Sequence, residues 1–81
     1  MPKITYGRLD EVLRSLGFSV QVAEGKARVY EHKATGALIF FPDVSLAKPA
    51  LPRHLGVAKM TLELYGITTP MEFTASLLKA S

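Results

Sequence analysis

The chain has 81 residues, 48% of them apolar and 21% charged, with four Phe, three Tyr, no Trp and no Cys. A chain of this size folds as one domain burying about 60–70% of its unfolded surface, so a deep enclosed active site is not expected. The missing cysteines exclude disulfides, thiolate metal sites and thiol catalysis; the net charge of +3 is scattered from Lys3 to Lys79 rather than gathered into a phosphate track.

A first helix is expected over residues 6–16. Leu9, Val12, Leu13 and Leu16 recur at i, i+3, i+4 and i+7, Thr5 is placed to cap the start, and Gly17 suits the left-handed position after the end. Arg8, Asp10, Glu11 and Arg14 fill the opposite face, with Asp10 and Arg14 in the favourable acid-before-base spacing.

A sheet is expected over residues 18–42. Phe18, Val20 and Val22 alternate with Ser19, Gln21 and Ala23, and Gly25 suits the first central position of a two-residue type II′ turn with Lys26. That turn sets Val22 opposite Val29 and Val20 opposite Glu31 on the inner face. Gln21 then opposes Tyr30 and Ser19 opposes His32 on the outer face, with Arg28 beside them. Ala34, Thr35 and Gly36 form a second turn, and the third strand, Ala37 to Phe41, is apolar on both sides. Its register stays open, because a one-residue slip exchanges Leu38 and Phe40 with Ile39 and Phe41.

Residues 43–51 form a Pro-rich connector too apolar to be a free linker. Helices are expected over residues 52–65, with Pro52 at the start, Gly66 after the end and Leu55, Ala58, Leu62 and Tyr65 on one side, and over residues 70–79, opened by the capping-box pattern Thr69-Pro70-Met71-Glu72. The order α-β-β-β-α-α reads as an α+β two-layer sandwich, a three-stranded antiparallel sheet with helices on one face. The first residues lack the apolar core of a secretory leader and the longest apolar run is far short of a spanning helix. A soluble, cytoplasmic protein without membrane contact is expected.

The opening helix, Leu16-Gly17-Phe18, Gly25, Tyr30, His32 and a strand closing on Pro42 resemble the HicA toxin family of bacterial toxin–antitoxin modules. The likeness spans residues 6–42 and runs without gaps from Gly17 to His32. More loosely, Leu62, Gly66-Ile67 and Glu72-Phe73 are similar to the family's closing pattern. The resemblance implies a double-stranded-RNA-binding-domain-like fold, metal-independent mRNA cleavage and an antitoxin-like protein partner. In the family motif Gly-Ser-His, the His is credited with cleavage; here Lys26 replaces the Ser and Ala27 replaces the His. An imidazole with a pKa of about 6.5 can take a proton from a ribose hydroxyl at neutral pH, and alanine has nothing that titrates.

The candidate RNA-binding residues are Lys26, a cation at the hairpin tip, Arg28, suited to a phosphate, Tyr30, suited to stacking a base, and His32. The alternative for Arg28 and Tyr30 is an aliphatic stem and a ring covering the outer sheet face. His32, which matches the family's second His, is the candidate catalytic base, and otherwise a strand-end residue beside a turn. His54, next to Arg53 before the second helix, reads as a surface or core-facing residue. No cofactor is implied and no metal, since the two histidines lie far apart with no carboxylate at ligand spacing. Three functions follow: a non-catalytic RNA-binding or toxin-derived domain, a ribonuclease acting through His32, and a protein-interaction or homodimerising module resting on the apolar third strand and Val44, Leu46 and Leu51 of the connector.

Overall fold

A computed structural model of the chain describes residues 4–23 and 27–79. The expected element order is present: α1 (Tyr6–Ser15), β1 (Ser19–Ala23), β2 (Ala27–His32), β3 (Ala37–Pro42), α2 (Pro52–Leu64) and α3 (Pro70–Leu78). The three strands form one antiparallel sheet in the order β1-β2-β3 with the helices packed against it, an α+β fold.

The helix ends follow from the residues that flank them. Thr5 is extended and its Oγ1 accepts the Arg8 amide at 3.1 Å. At the other end Gly17 adopts φ 99°, the Gly17 amide donates to the Arg14 carbonyl and the Phe18 amide to the Leu13 carbonyl. That is a Schellman cap, in which the left-handed residue lets two amides reach back to orphan carbonyls and drops Phe18 onto the apolar face. α2 ends the same way: Gly66 has φ 69°, its amide donates to Glu63 and that of Ile67 to Leu62. Thr69 caps α3 by accepting the Glu72 amide, with Pro70 in the first turn. The Arg8 guanidinium closes the far end of α3, donating to the carbonyls of Ser76, Leu77 and Lys79.

The connector is part of the fold. The Lys48 and Leu46 carbonyls accept the amides of Tyr6 and Gly7, and the Ala50 amide donates to the Ile4 carbonyl. Together with Thr5 these bonds satisfy the first three amides of α1, which have no partner within the helix. Val44 and Ala50 join the edge of the core, while Leu46 and Leu51 stay exposed.

The sheet register differs from the expectation. Ala23 pairs with Ala27, Val22 with Arg28, Gln21 with Val29, Val20 with Tyr30 and Ser19 with Glu31. Three residues therefore separate the strands where two were expected; the Gly25-Lys26 turn itself lies outside the described residues. Side chains alternate between faces, so a one-residue slip of β1 against β2 exchanges faces. Arg28, Tyr30 and His32 lie on the helix-facing side, opposite Phe41, Ile39 and Ala37 of β3, and Tyr30 is only 1% exposed. Val29 and Glu31, expected inside, lie on the outer side. Burial decides this: the observed register keeps the Glu31 carboxylate out of the core, and Tyr30 can be buried because its hydroxyl finds a partner.

The register of β3, open in the sequence, is set by the four-residue turn after His32. The Thr35 and Gly36 amides both donate to the His32 carbonyl, with Gly36 at φ 80°. Ala37, Ile39 and Phe41 thereby enter the core, and Leu38 and Phe40 point away from it. The core also takes Tyr6, Leu9 and Leu13 from α1, Phe18 before β1, Ala58 and Leu62 from α2, and Phe73 and Leu77 from α3. No helix among the described residues is long and apolar enough to cross a membrane.

Candidate functional site

The candidate residues of β2 share one face, but they do not form an open RNA-handling surface. Tyr30 donates its hydroxyl to Asp10 Oδ1 at 2.6 Å, and Asp10 Oδ2 accepts from Arg14 Nε at 2.9 Å. Burial, followed by the hydrogen bond to the Asp10 carboxylate and its charge, pushes the Tyr30 hydroxyl far above its ordinary pKa, so it stays a donor. Its ring lies edge-on to Phe41, and neither ring face is available to a base.

Asp10, like Tyr30, lies on a different side from the one expected. Assigned to the wet face of α1, it is only 7% exposed, while its expected pairing with Arg14 holds. The signal was the spacing Tyr6, Asp10, Leu13 at i, i+4 and i+7, which sets Asp10 in a row flanking the apolar stripe.

Arg28 lies at the far end of the same face with a side chain 16% exposed. Its Nη2 is 3.8 Å from Asp43 Oδ1, and its buried Nε has no hydrogen-bond partner among the described residues. His32 packs against Phe18 with ring centres 5.0 Å apart and the rings tilted by 51°, and its Nδ1 is 2.9 Å from Thr35 Oγ1, which also accepts the Ala37 amide. The other ring nitrogen abuts Gly17, where a β-carbon would come within 3.4 Å of it. Arg28 and His32 are four residue steps apart along the strand, about 13 Å at ~3.3 Å per step, with buried Tyr30 between them. Ala27, where the family resemblance places the catalytic His, has the opposite parity and lies on the outer face. His32 therefore does not occupy a shifted version of that position. Lys26 lies outside the described residues.

His54 is a structural residue of the core rim. Its Nδ1 is 2.6 Å from the Tyr6 hydroxyl, which also accepts the Leu51 amide at 3.3 Å, and the Tyr6, Phe41 and His54 rings form a tilted cluster. With the Leu51 amide donating to its oxygen, the Tyr6 hydroxyl is free to donate its proton to Nδ1, which requires an unprotonated Nδ1. Burial, and secondarily the charge of Arg53, lowers the His54 pKa in the same sense.

The surface depressions lie elsewhere. An open one of about 360 Å³ between the end of α2 and the start of α3 is lined in part by Glu63, Thr68, Thr69 and Glu72, an acidic setting that disfavours phosphate. A smaller one between α1 and α3 includes Arg8, Glu11 and Ser76. Among the described residues no three His, Asp or Glu side chains converge as metal ligands.

Two apolar surfaces are exposed: a stripe of Val57, Met60 and Leu64 along α2, and the outer side of the sheet. Phe40 is 57% exposed and Leu38 46%, with half-buried Val29 on the neighbouring strand. β3 is an edge strand, and from Ala37 to Phe41 it carries no charge and no proline. Among the described residues, no backbone hydrogen bond from outside the sheet reaches residues 38–41. Natural edge strands usually carry lysine, proline or a bulge against unwanted pairing, and this one is bare until Pro42. The other edge, β1, presents Ser19 and Gln21 on the outer face.

No family model, no curated protein and no solved structure matches the chain.

Proposed function

We propose that the protein is a non-catalytic binding module that takes an extended protein segment along the edge of β3. The carrying observation is the uncharged edge strand, with no backbone hydrogen bond from outside the sheet among the described residues, and Leu38 and Phe40 projecting beside it on the outer face. In strand addition the main chain of the added segment supplies affinity and its alternate side chains supply specificity, and the exposed Leu38 and Phe40 beside the edge support a preference for apolar residues in that segment. The HicA resemblance supports a toxin-derived domain whose cleavage chemistry is gone, because Ala27 stands at the catalytic position and His32 is turned to the opposite face of β2. RNA is the less favoured ligand. Tyr30 is buried, Arg28 is turned inward beside Asp43, and the helix-side depression at the start of α3 is acidic.

The test is a selection of displayed random peptides on the wild type and on Phe40→Lys, alongside retention of labelled total RNA with and without Arg28→Ala. Enrichment of peptides with alternating apolar residues, lost on Phe40→Lys, is the expected result. Failure to enrich, together with salt-dependent RNA retention that Arg28→Ala weakens, would return the protein to the RNA-binding class.

A further inference from the structure

We infer that one occupant of the β3 edge is a second copy of this chain, paired β3 to β3 about a two-fold axis through Ile39. The inference rests on the reading of β3 as the binding edge. An antiparallel edge is complementary to itself, and between Ala37 and Phe41 neither copy brings a charge that would oppose its mate. The side chains select the axis. With the two-fold at Ile39, Leu38 of each copy lies directly opposite Phe40 of the other on the outer face, so the two most prominent apolar groups of the edge cover each other as cross-strand pairs. An axis at Leu38 would leave Phe40 opposite Gly36 in the turn, and an axis at Phe40 would set Leu38 opposite Pro42, which has no amide to donate.

The two-fold also closes the assembly. Pairing β3 of one copy with β1 of the next would leave a free β3 at every step and build a filament, and it would set Leu38 and Phe40 against the Ser19 and Gln21 side of β1. The β3 pair makes a six-stranded sheet whose free edges are both β1. Five residues of strand per copy fall short of the roughly 1,200–2,000 Å² of a standard stable interface, so the dimer is weak and depends on concentration.

Sedimentation from micromolar to about 0.5 mM gives the first readout, since a small interface associates only at the upper end of that range. The expected result is an average mass rising toward twice the chain mass for the wild type and staying at one for Phe40→Lys, whose unchanged circular dichroism and melting midpoint show it folded. The absence of native cysteine allows the register to be read separately. Leu38→Cys and Phe40→Cys chains, oxidised apart and as a mixture, are expected to cross-link strongly only in the mixture. Cross-linking of Leu38→Cys or Phe40→Cys alone overturns the axis at Ile39, and a wild type that stays monomeric throughout overturns self-pairing. A monomer that still enriches Phe40-dependent peptides leaves the strand-addition reading standing; a monomer that enriches none removes both.

Discussion

Replacing Tyr30 by Phe removes one oxygen and isolates the role the fold gives this residue. The hydroxyl donates at 2.6 Å to a carboxylate that is itself only 7% exposed, and no other hydrogen bond joins the helix-facing side of β2 directly to the middle of α1 among the described residues. A hydrogen bond to a charged group contributes about 1.5–3 kcal/mol, and the stranded Asp10 oxygen remains in the interior. A loss of about 2 kcal/mol in a domain of this size lowers the melting midpoint by roughly 8–16 °C. Thermal unfolding followed by circular dichroism measures this, and a double-mutant cycle with Asp10→Asn should give a coupling of about 0.5–3 kcal/mol. The alkaline limb gives an independent readout. The Tyr30 pKa is raised in the folded state, so its contribution is complete below the unfolded value of about 10 and declines as pH rises beyond it, by up to about 1.4 kcal/mol per pH unit. That extra slope should vanish in Tyr30→Phe. A variant as stable as the wild type, with the same alkaline slope, would refute a structural role for Tyr30 and restore the idea of an accessible ring.

Two glycines should respond in opposite directions to alanine. At Gly7 the new β-carbon would lie 3.0 Å from the Leu46 carbonyl oxygen, which already accepts the Gly7 amide, so the connector must shift. Urea unfolding should show a net loss of about 1–2 kcal/mol even though alanine favours the helix. At Gly56, inside α2, nothing lies within 4 Å of the added carbon, and a gain of about 0.5–1 kcal/mol is expected. His54 sets the acid side: its folded pKa is lowered, so below about pH 6.5 the unfolded chain binds the proton more readily and stability falls with pH. Denaturation midpoints of His54→Gln between pH 7 and 5 should fall less steeply than those of the wild type, and equal slopes would contradict the assignment of a neutral His54.

Much of the architecture was legible because local signals agreed. Thr5 with Gly17 and Thr69 with Pro70 mark helix ends through bonds that only a few residue types can make, and the structure uses them as expected. The hairpin was misread because a turn of two residues and one of three differ little in sequence, yet the change reverses every facing of β2 while Val20 and Val22 of β1 keep theirs. A warning was present: the two-residue turn would have set Glu31 inside the sheet, whereas the observed register buries Tyr30 instead. The spacing of Tyr6, Asp10 and Leu13 sets Asp10 beside the apolar stripe, but its partner Tyr30, twenty residues away, is a tertiary pairing that helix spacing does not announce. The apolar third strand was recognised, but which of its sides enters the core depends on the loop after His32, and so the exposed Leu38 and Phe40 emerged only with the fold.

Whether ligands meet the outer edge or the helix-facing side of the sheet is decided most directly by amide resonances of the isotopically labelled protein. It would be titrated at moderate salt with a selected strand-forming peptide and, separately, with random single-stranded RNA hexamers. Peptide-induced shifts concentrated at Leu38, Ile39, Phe40 and Phe41, with RNA leaving Arg28, Tyr30 and His32 unmoved, are expected. Salt-dependent RNA shifts at Arg28, Tyr30 and His32, with no response of β3 to peptide, would contradict binding at the β3 edge.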